Sequence, residues 1–256
     1  LENFLASSEQ IVLPAPETPQ VTIILVLWNQ APLTLACLQS LAEEVSVPIE
    51  VIIVDNASTD RTSELLGRVR NANILHQSEN VGFLRGVNAA LPEIRGGHVL
   101  LLNNDATLRH GTLAAAVETM NSAPDIGAVG GPIILPNGAL QEAGSIIWRD
   151  GSCLGYGRHD DPSLGSYMFH REVDYCSGAF LMIRDGVFQD MGGFDDLYAP
   201  AYYEETDLCM RIRASGYRIL YDPRAAIDHF EFGSLTKRST AHEWQSENRE
   251  KFREKH

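Results

Sequence analysis

The sequence predicts an α/β fold: a mostly parallel central sheet flanked by helices, joined to a smaller, less regular region. Three observations predict it. VTIILVL (21–27) and IEVIIVD (49–55) are unbroken apolar, β-branched runs, the pattern of strands buried on both faces. Helical patterns separate these and later runs by short connections, which is how parallel strands are joined. Polar residues gather where the strands end: Asn29 after the first, Asp55 and Asn56 after the second, Asn103, Asn104 and Asp105 after the fourth. In open sheets of this kind the ligand crevice lies outside the carboxyl ends of the strands.

Taken in order, residues 1–20 carry Pro14, Pro16 and Pro19 among small polar residues and read as an arm or linker. After the strand at 21–27, Leu33, Cys37, Leu38 and Leu41 mark a helical face. Ser58, Thr59 and Asp60 supply N-cap chemistry for a helix over about 60–70. NILH (73–76) is a short third strand, GFLRGVNAAL (82–91) a helix and HVLLLNND (98–105) the fourth strand. A helix over 111–121 and an extended IGAVGG (126–131) follow. Residues 132–170, rich in Gly and Pro, predict hairpins and loops. YCSGAFLMIR (175–184) is a strand candidate, and EETDLCMRIRASGY (204–217) a helix with Gly216 at its C-cap. RILYDP (218–223) and AAIDHF (225–230) are extended, and 239–256 is a charged helical tail. The expected division is an arm (1–20), a central domain (21–236) in two halves (21–131 and 132–236), and a helical tail (237–256).

Composition excludes several functions. The 256 residues hold 34 acidic against 20 basic side chains, a net charge of −14, and no basic run of the kind that neutralises phosphates, so a nucleic-acid partner is not expected. Apolar residues make up 44%, which excludes wholesale disorder. No stretch approaches the roughly 18 apolar residues of a membrane span, and no secretory signal pattern opens the chain. The first residue is Leu, so the expectation is a piece of a longer polypeptide with further domains. Cys37, Cys153, Cys176 and Cys209 are widely spaced without a CxxC pair, as reduced cytoplasmic thiols would be.

Three constellations carry chemistry. Asp105 ends an apolar strand, where a carboxylate meets a hard divalent ion such as Mg²⁺ or Mn²⁺, or else caps the next helix. Glu204, Glu205 and Asp207 place three carboxylates in four residues. Asp207 and Arg211 share a helix face and account for part of the cluster, leaving Glu205 without a partner in that scheme. The cluster is either a solvated acidic face or, given Tyr202, Tyr203 and Leu208 beside it, a partly buried helix start. A carboxylate there would have the raised pKa of a general base. His229, after Asp228 and before Gly233 and Ser234, is a metal ligand or a structural histidine. The turn Cys176-Ser177-Gly178-Ala179 has no histidine to make its thiol a nucleophile. Neither GxxxxGK[ST] nor GxGxxG occurs, which argues against kinase and dinucleotide-dehydrogenase chemistry.

Seven segments in order, VTIILVLWNQ, IEVIIVDNASTDRT, SENVGFLRGVN, HVLLLNNDA, CSGAFLMIRDGVFQDMGGFDD, YYEETDLCMRIRASGY and DHFEFGS, span roughly residues 21–235. Together the chain resembles the inverting family 2 glycosyltransferases of the GT-A, Rossmann-like fold, particularly rhamnosyl- and galactofuranosyl-transferase-like members. The resemblance implies that Asn29, Asp55, Asn56 and Ser58 hold the base and ribose of a nucleoside-diphosphate sugar, a dTDP- or UDP-sugar in the first instance. It implies that Asn80, Gly82, Phe83 and Asn88 lie against the donor, with Leu84 and Arg85 standing where the family has small residues. Arg85 then either contacts the diphosphate or is solvated. Asn103-Asn104-Asp105 stands in the place of the family's Asp-x-Asp motif, with Asp105 as metal ligand and His229 as a further ligand for Mn²⁺ or Mg²⁺. In the acidic cluster, Glu205 occupies the position of the catalytic base, an Asp in the family; Glu204 is its rival, and Asp207 belongs to the same motif. Ser177, Gly178, Tyr202 and Tyr203 fall on the acceptor side. Trp148, Tyr156, Tyr175 and Tyr202 are candidates for sugar stacking or for core packing.

The implied activity is inverting transfer of a sugar to a hydroxyl of a saccharide or lipid-linked saccharide in polysaccharide biosynthesis of the cell envelope. The chain would work in the cytoplasm, peripheral to the inner membrane through other domains. A catalytically degenerate binding module of a larger protein and a nucleotidyltransferase are the alternatives.

Overall fold

A computed structural model of the chain describes residues 1–43, 46–231 and 238–256, the first four of the last segment by backbone alone. The central sheet has eight strands in the order Arg171–Glu172, Arg218–Tyr221, Ile126–Gly130, Phe180–Ile183, His98–Asn103, Val21–Leu27, Ile49–Asp55 and Ala72–His76. The last four pair in parallel, as do Ile126–Gly130 and Arg218–Tyr221. Phe180–Ile183 runs antiparallel to both neighbours, as does the short Arg171–Glu172 to its partner. The parallel α/β sheet expected from the apolar runs is therefore present, with one reversed strand at its centre.

Every residue of Val21–Leu27 and Ile49–Asp55 is buried. Alternate side chains point to opposite faces. Ile23, Leu25, Val51 and Ile53 meet Leu38 of Ala31–Ala42 and Leu113 of Thr112–Asn121. Ile24, Val26, Ile52 and Val54 meet Val87 of Gly82–Ala89 and Leu208 of Glu204–Ala214. That double cover is why these strands read as unbroken apolar runs. Gly216, with φ +91°, ends the last of these helices in the left-handed conformation expected of its cap. A second sheet, in the order Leu140–Ala143, Pro132–Ile134, Ile227–His229 and Ala106–Leu108, sets His229 opposite Ala106.

Several elements differ from expectation. Residues 1–20 are not a free arm. Glu2–Ala6 is helical with Phe4 buried, Ile11–Val12 pairs in parallel with Val69–Arg70, and Leu13 is buried. The apolar residues scattered between the prolines cover one end of the core, and the helix expected over 60–70 shortens to Thr62–Leu66 to free that strand. The strand expected over 175–184 contracts to Phe180–Ile183, because a turn closes between the Ser177 carbonyl and the Phe180 N–H (3.1 Å). Phe180–Ile183 and Arg218–Tyr221, from the second half of the central domain, complete the sheet begun by the first half.

The tail, Arg238–Lys255, packs on the domain through Phe252. Buried Asn248 aims its amide at the carbonyls of Tyr198 (2.8 Å), Ala201 (3.0 Å) and Tyr202 (3.0 Å), so the helix holds the loop before Glu204. Replacing Asn248 by Ala strands those carbonyls and should lower the unfolding free energy by about 1–3 kcal/mol in urea titration. An unchanged midpoint would mean that the tail does not brace this loop.

Candidate active site

A cleft of about 690 Å³ opens at the carboxyl ends of the parallel strands, within the size range of small-molecule sites. Asn103, Asn104 and Asp105 line it where His98–Asn103 ends. Asn104 is fixed by its amide donating to Thr34 Oγ1 (2.9 Å). Asn56, after Ile49–Asp55, spans to the next loop, donating to the Gly82 carbonyl (3.0 Å) and accepting the Val81 N–H (3.2 Å). Asn80, Gly82 and Phe83 continue that wall. Gly82 has φ +83°, and a Cβ there would meet the Pro200 carbonyl oxygen at 2.7 Å, so two loops close over the cleft only with glycine at this point.

Asp105 and His229 come together in a buried corner. His229 Nε2 lies 3.0 Å from Asp105 Oδ1 and 3.3 Å from Asn103 Nδ2, while its Nδ1 faces Gln141 Oε1 at 2.7 Å. In a neutral ring whose Nδ1–H donates to Gln141, Nε2 presents a lone pair to a carboxylate oxygen. That approach is favourable only with a proton or a cation between the two. Two ligands on adjacent positions of one ion, each bonded at about 2.1 Å, also lie roughly 3 Å apart. Among the described residues no group of three or more His, Cys, Asp or Glu forms a fuller cage. The pair thus fits an ion that completes its shell with ligand phosphates and water. Gly233 and Ser234, after His229 in sequence, lie outside the described residues.

Glu204 and Glu205 begin Glu204–Ala214 and both line the cleft. The two preceding residues, Tyr202 (φ +74°) and Tyr203 (φ +73°), hold left-handed backbone unusual for aromatic residues. Strain of this kind persists where surrounding packing enforces it. The turn sends Tyr202 into the cleft and Tyr203 away from it, its hydroxyl donating to the Gly151 carbonyl (2.8 Å). One carboxylate oxygen of each glutamate is buried without a hydrogen-bond partner. Burial raises both pKa values, Glu204 further because the charge of Glu205 lies beside it. The backbone amides of Glu205 itself, Thr206 and Gly178 act against that rise at Glu205.

Asp207, grouped by sequence with the catalytic cluster, is a correction. Its side chain is fully buried against Arg211 (2.7 Å), Lys255 (2.6 Å) and His256 (2.8 Å), which hold its pKa down against the pull of burial, and it does not line the cleft. It bonds the helix start to the end of the tail. Arg85 pairs on the surface with Asp196 (3.2 Å), not in the cleft. Asn88 brackets the Phe194 backbone, with its amide on the carbonyl (2.8 Å) and its Oδ1 accepting the N–H (2.9 Å). Asn29, Asp55 and Ser58 knit two strand ends together beside Asn56. Ser58 Oγ accepts the Asn29 N–H (2.8 Å), and Asp55 Oδ1 accepts the Ser58 N–H (3.1 Å). Of the proposed stacking aromatics, only Tyr202 lines the cleft.

Sequence reasoning missed Gln141 and Glu142. Their only signal is a polar pair inside an otherwise strand-like stretch. It also missed Trp28 after the first strand and Trp244 and Gln245 on the tail, which line the cleft. Glu142 is buried and accepts the Ser177 N–H at 3.1 Å, and burial lifts its pKa from 4.5 to about 7. Because the folded value exceeds the unfolded one, the stability it contributes is complete below pH 4.5 and is lost as pH rises through about 7. Glu142→Gln does not titrate, so its advantage in unfolding free energy over the wild type should widen across that window and level off by about pH 8. A gap constant with pH, measured by urea titration, would rule out the raised value.

Comparison with known proteins follows the same line. A family model described as glycosyl transferase family 2 matches residues 22–192. The N-acetylglucosaminyl-diphospho-decaprenol L-rhamnosyltransferase of Mycobacterium tuberculosis is 28% identical over 249 residues, covering 88% of this chain and 80% of that protein. The uncharacterized protein y4gI of Sinorhizobium fredii is 27% identical over 257 residues, covering 96% of this chain but 28% of that protein. The chain thus corresponds to most of one relative and about a quarter of another. The structure of the mannosyltransferase PcManGT from Pyrobaculum calidifontis, in complex with GDP-Man and Mn²⁺, superposes with a TM-score of 0.61 at 20% identity, over 94% of this chain and 64% of that one. With a family model spanning well over half of its length and a fold shared with a solved glycosyltransferase, the chain belongs to glycosyl transferase family 2 and has the GT-A fold.

Proposed function

We propose that the chain transfers a sugar, with inversion, from a nucleoside-diphosphate sugar to a hydroxyl of a saccharide or lipid-linked saccharide in cell-envelope polysaccharide assembly. The observation that carries the reading is the cleft itself. It brings an aspartate–histidine corner suited to a cation into one cavity with two glutamates, each with a buried carboxylate oxygen that lacks a hydrogen-bond partner. The M. tuberculosis relative, named as a rhamnosyltransferase, and PcManGT, bound to GDP-Man and Mn²⁺, support it.

In this reading Asn56 and the loop of Asn80, Gly82 and Phe83 receive the nucleoside, with Asn29, Asp55 and Ser58 fixing the adjoining strand ends. Asn103, Asn104, Asp105 and His229 face the diphosphate. Asp105 and His229 would hold a divalent ion, Mn²⁺ in preference to Mg²⁺ because one ligand is an imidazole nitrogen. Bound there, the ion would neutralise charge on the departing nucleoside diphosphate. Glu205 removes the proton from the acceptor hydroxyl, whose oxygen attacks the anomeric carbon opposite the bond to the diphosphate as that bond breaks. Glu204, whose carboxyl is pushed further up by burial and by the adjacent charge of Glu205, is its rival for that role. Ser177, Gly178 and Tyr202 border the acceptor. No described helix is long and apolar enough to cross a membrane; contact with a lipid-linked acceptor at the cytoplasmic face would draw on other domains of a longer polypeptide.

Glu205→Gln should lower the transfer rate by roughly 10²–10⁴-fold while nucleotide-sugar affinity is kept; a variant with wild-type turnover would overturn the assignment of the base. In thermal-shift titration with UDP, dTDP and GDP and their sugars, one nucleotide class should raise the melting temperature only with Mn²⁺ or Mg²⁺, and Asp105→Ala should abolish that increment. A shift equal with and without metal would overturn the role of Asp105. The dTDP- or UDP-sugar donor would be set aside if only GDP-sugars bind.

A further inference from the structure

Gln141 and Glu142 are neighbours on Leu140–Ala143, and a regular strand would send their side chains to opposite faces. Pairing with Pro132–Ile134 is irregular between Leu140 and Glu142, and such bulges re-aim side chains. Here both side chains are buried, Gln141 lines the cleft, and Glu142 lies behind its wall at Ser177. Gln141 holds His229 through Nδ1 (2.7 Å), and Glu142 holds the Ser177 N–H (3.1 Å). Ser177 opens a tight turn, in which its carbonyl accepts the Phe180 N–H (3.1 Å) and its hydroxyl accepts the Ala179 N–H (3.2 Å). The next residue, Gly178, lies directly against the candidate base. A Cβ built on it would stand 3.8 Å from Glu205 Cβ and 3.6 Å from the Phe83 ring, and its amide is among those that favour the Glu205 carboxylate.

Glu142 itself is an expensive residue to keep. It is 7% exposed, and among the described residues no Arg or Lys offsets its charge. A buried carboxylate without a cationic partner destabilises a fold relative to an apolar or amide side chain of similar size. Packing alone does not explain it, whereas a hydrogen-bond acceptor at this reach does.

We propose that Glu142 is a positioning residue for transfer: by anchoring the Ser177 N–H it holds the Ser177–Gly178 turn against Glu205, so that the base meets the acceptor hydroxyl at a fixed distance. With Gln141 orienting His229, one bulged strand then sets both the cation corner and the base. This proposal rests on the assignment of Glu205 as base. A base displaced by about 1 Å loses on the order of 10²-fold in rate.

Two variants separate reach from charge. Glu142→Gln keeps an oxygen where the Ser177 N–H needs one and removes the charge; Glu142→Asp keeps the charge and withdraws the oxygen by one methylene. Steady-state kinetics with a nucleotide-sugar donor should show kcat within about fivefold of wild type for Glu142→Gln. For Glu142→Asp, kcat should fall by roughly 10–100-fold, with donor KM and nucleotide affinity changed less than twofold. If Glu142→Asp does not fold, Glu142→Ala, which removes the oxygen altogether, should show the same loss. Wild-type kcat in the shortened variant, or a Gln variant as slow as the Asp variant, overturns the proposal. Glu205→Gln, assayed alongside, keeps the two failures apart. If it is active, the base assignment has failed; if it is inactive while Glu142→Asp is normal, only the positioning role has.

Discussion

The parallel pairing of Val21–Leu27 with Ile49–Asp55 on one side and His98–Asn103 on the other is the constraint on which the rest of the molecule depends. Both faces of these strands are covered, so none of their length tolerates an unpaired polar side chain. Polar residues are therefore displaced to the ends, and parallel pairing puts the carboxyl ends along one edge. Asn56 and the Asn103-Asn104-Asp105 run meet there without any contact between them in sequence. Phe180–Ile183 adds the decisive asymmetry. Because it runs antiparallel to His98–Asn103, with Phe180 opposite Leu102, its amino end arrives at that same edge. The Ser177–Gly178 turn, and through it Glu205, reaches the cleft for that reason.

The chain is strongly acidic, and burial acts in opposite ways on two sets of its carboxylates. Asp207 and Asp222 have cationic neighbours and hydrogen-bond donors that hold their pKa values down against desolvation. Asp222, for example, meets Arg224 at 3.0 Å and accepts the Thr119 hydroxyl at 2.7 Å. Glu142, Glu204 and Glu205 form no ion pair among the described residues, and burial drives them up. The first group ties distant segments together. The second clusters around one turn at the cleft, where carboxyl groups with raised pKa values are useful and where stability is given up for that use.

Much of the fold was legible because burial on two faces writes itself into consecutive residues. The runs at 21–27 and 49–55 have the bounds of the observed strands, and the helices over 31–42, 112–121 and 204–214 follow their apolar spacing closely. The arm was misread because its apolar residues are scattered between prolines, a pattern without periodicity, and only the Val69–Arg70 strand it pairs with reveals it. Asp207 was misread for a related reason. Its neighbour at helical spacing, Arg211, is visible in sequence, but Lys255 and His256 lie about fifty residues away and draw it out of the acidic cluster.

The sequence by itself determined the class of fold, the edge at which a ligand crevice must form, and most of the residue types found there, because each follows from local rules of burial and strand termination. Tertiary structure alone decided which of those residues share the cleft. Pairing between Ile227–His229 and Ala106–Leu108 carries His229 to Asp105, the irregular strand Leu140–Ala143 sets Gln141 on His229 and Glu142 on Ser177, and the packing of the tail helix brings Trp244 to the cleft. These are contacts between residues tens to more than a hundred positions apart. Their geometry is set by sheet register and helix packing, which no short stretch of sequence encodes.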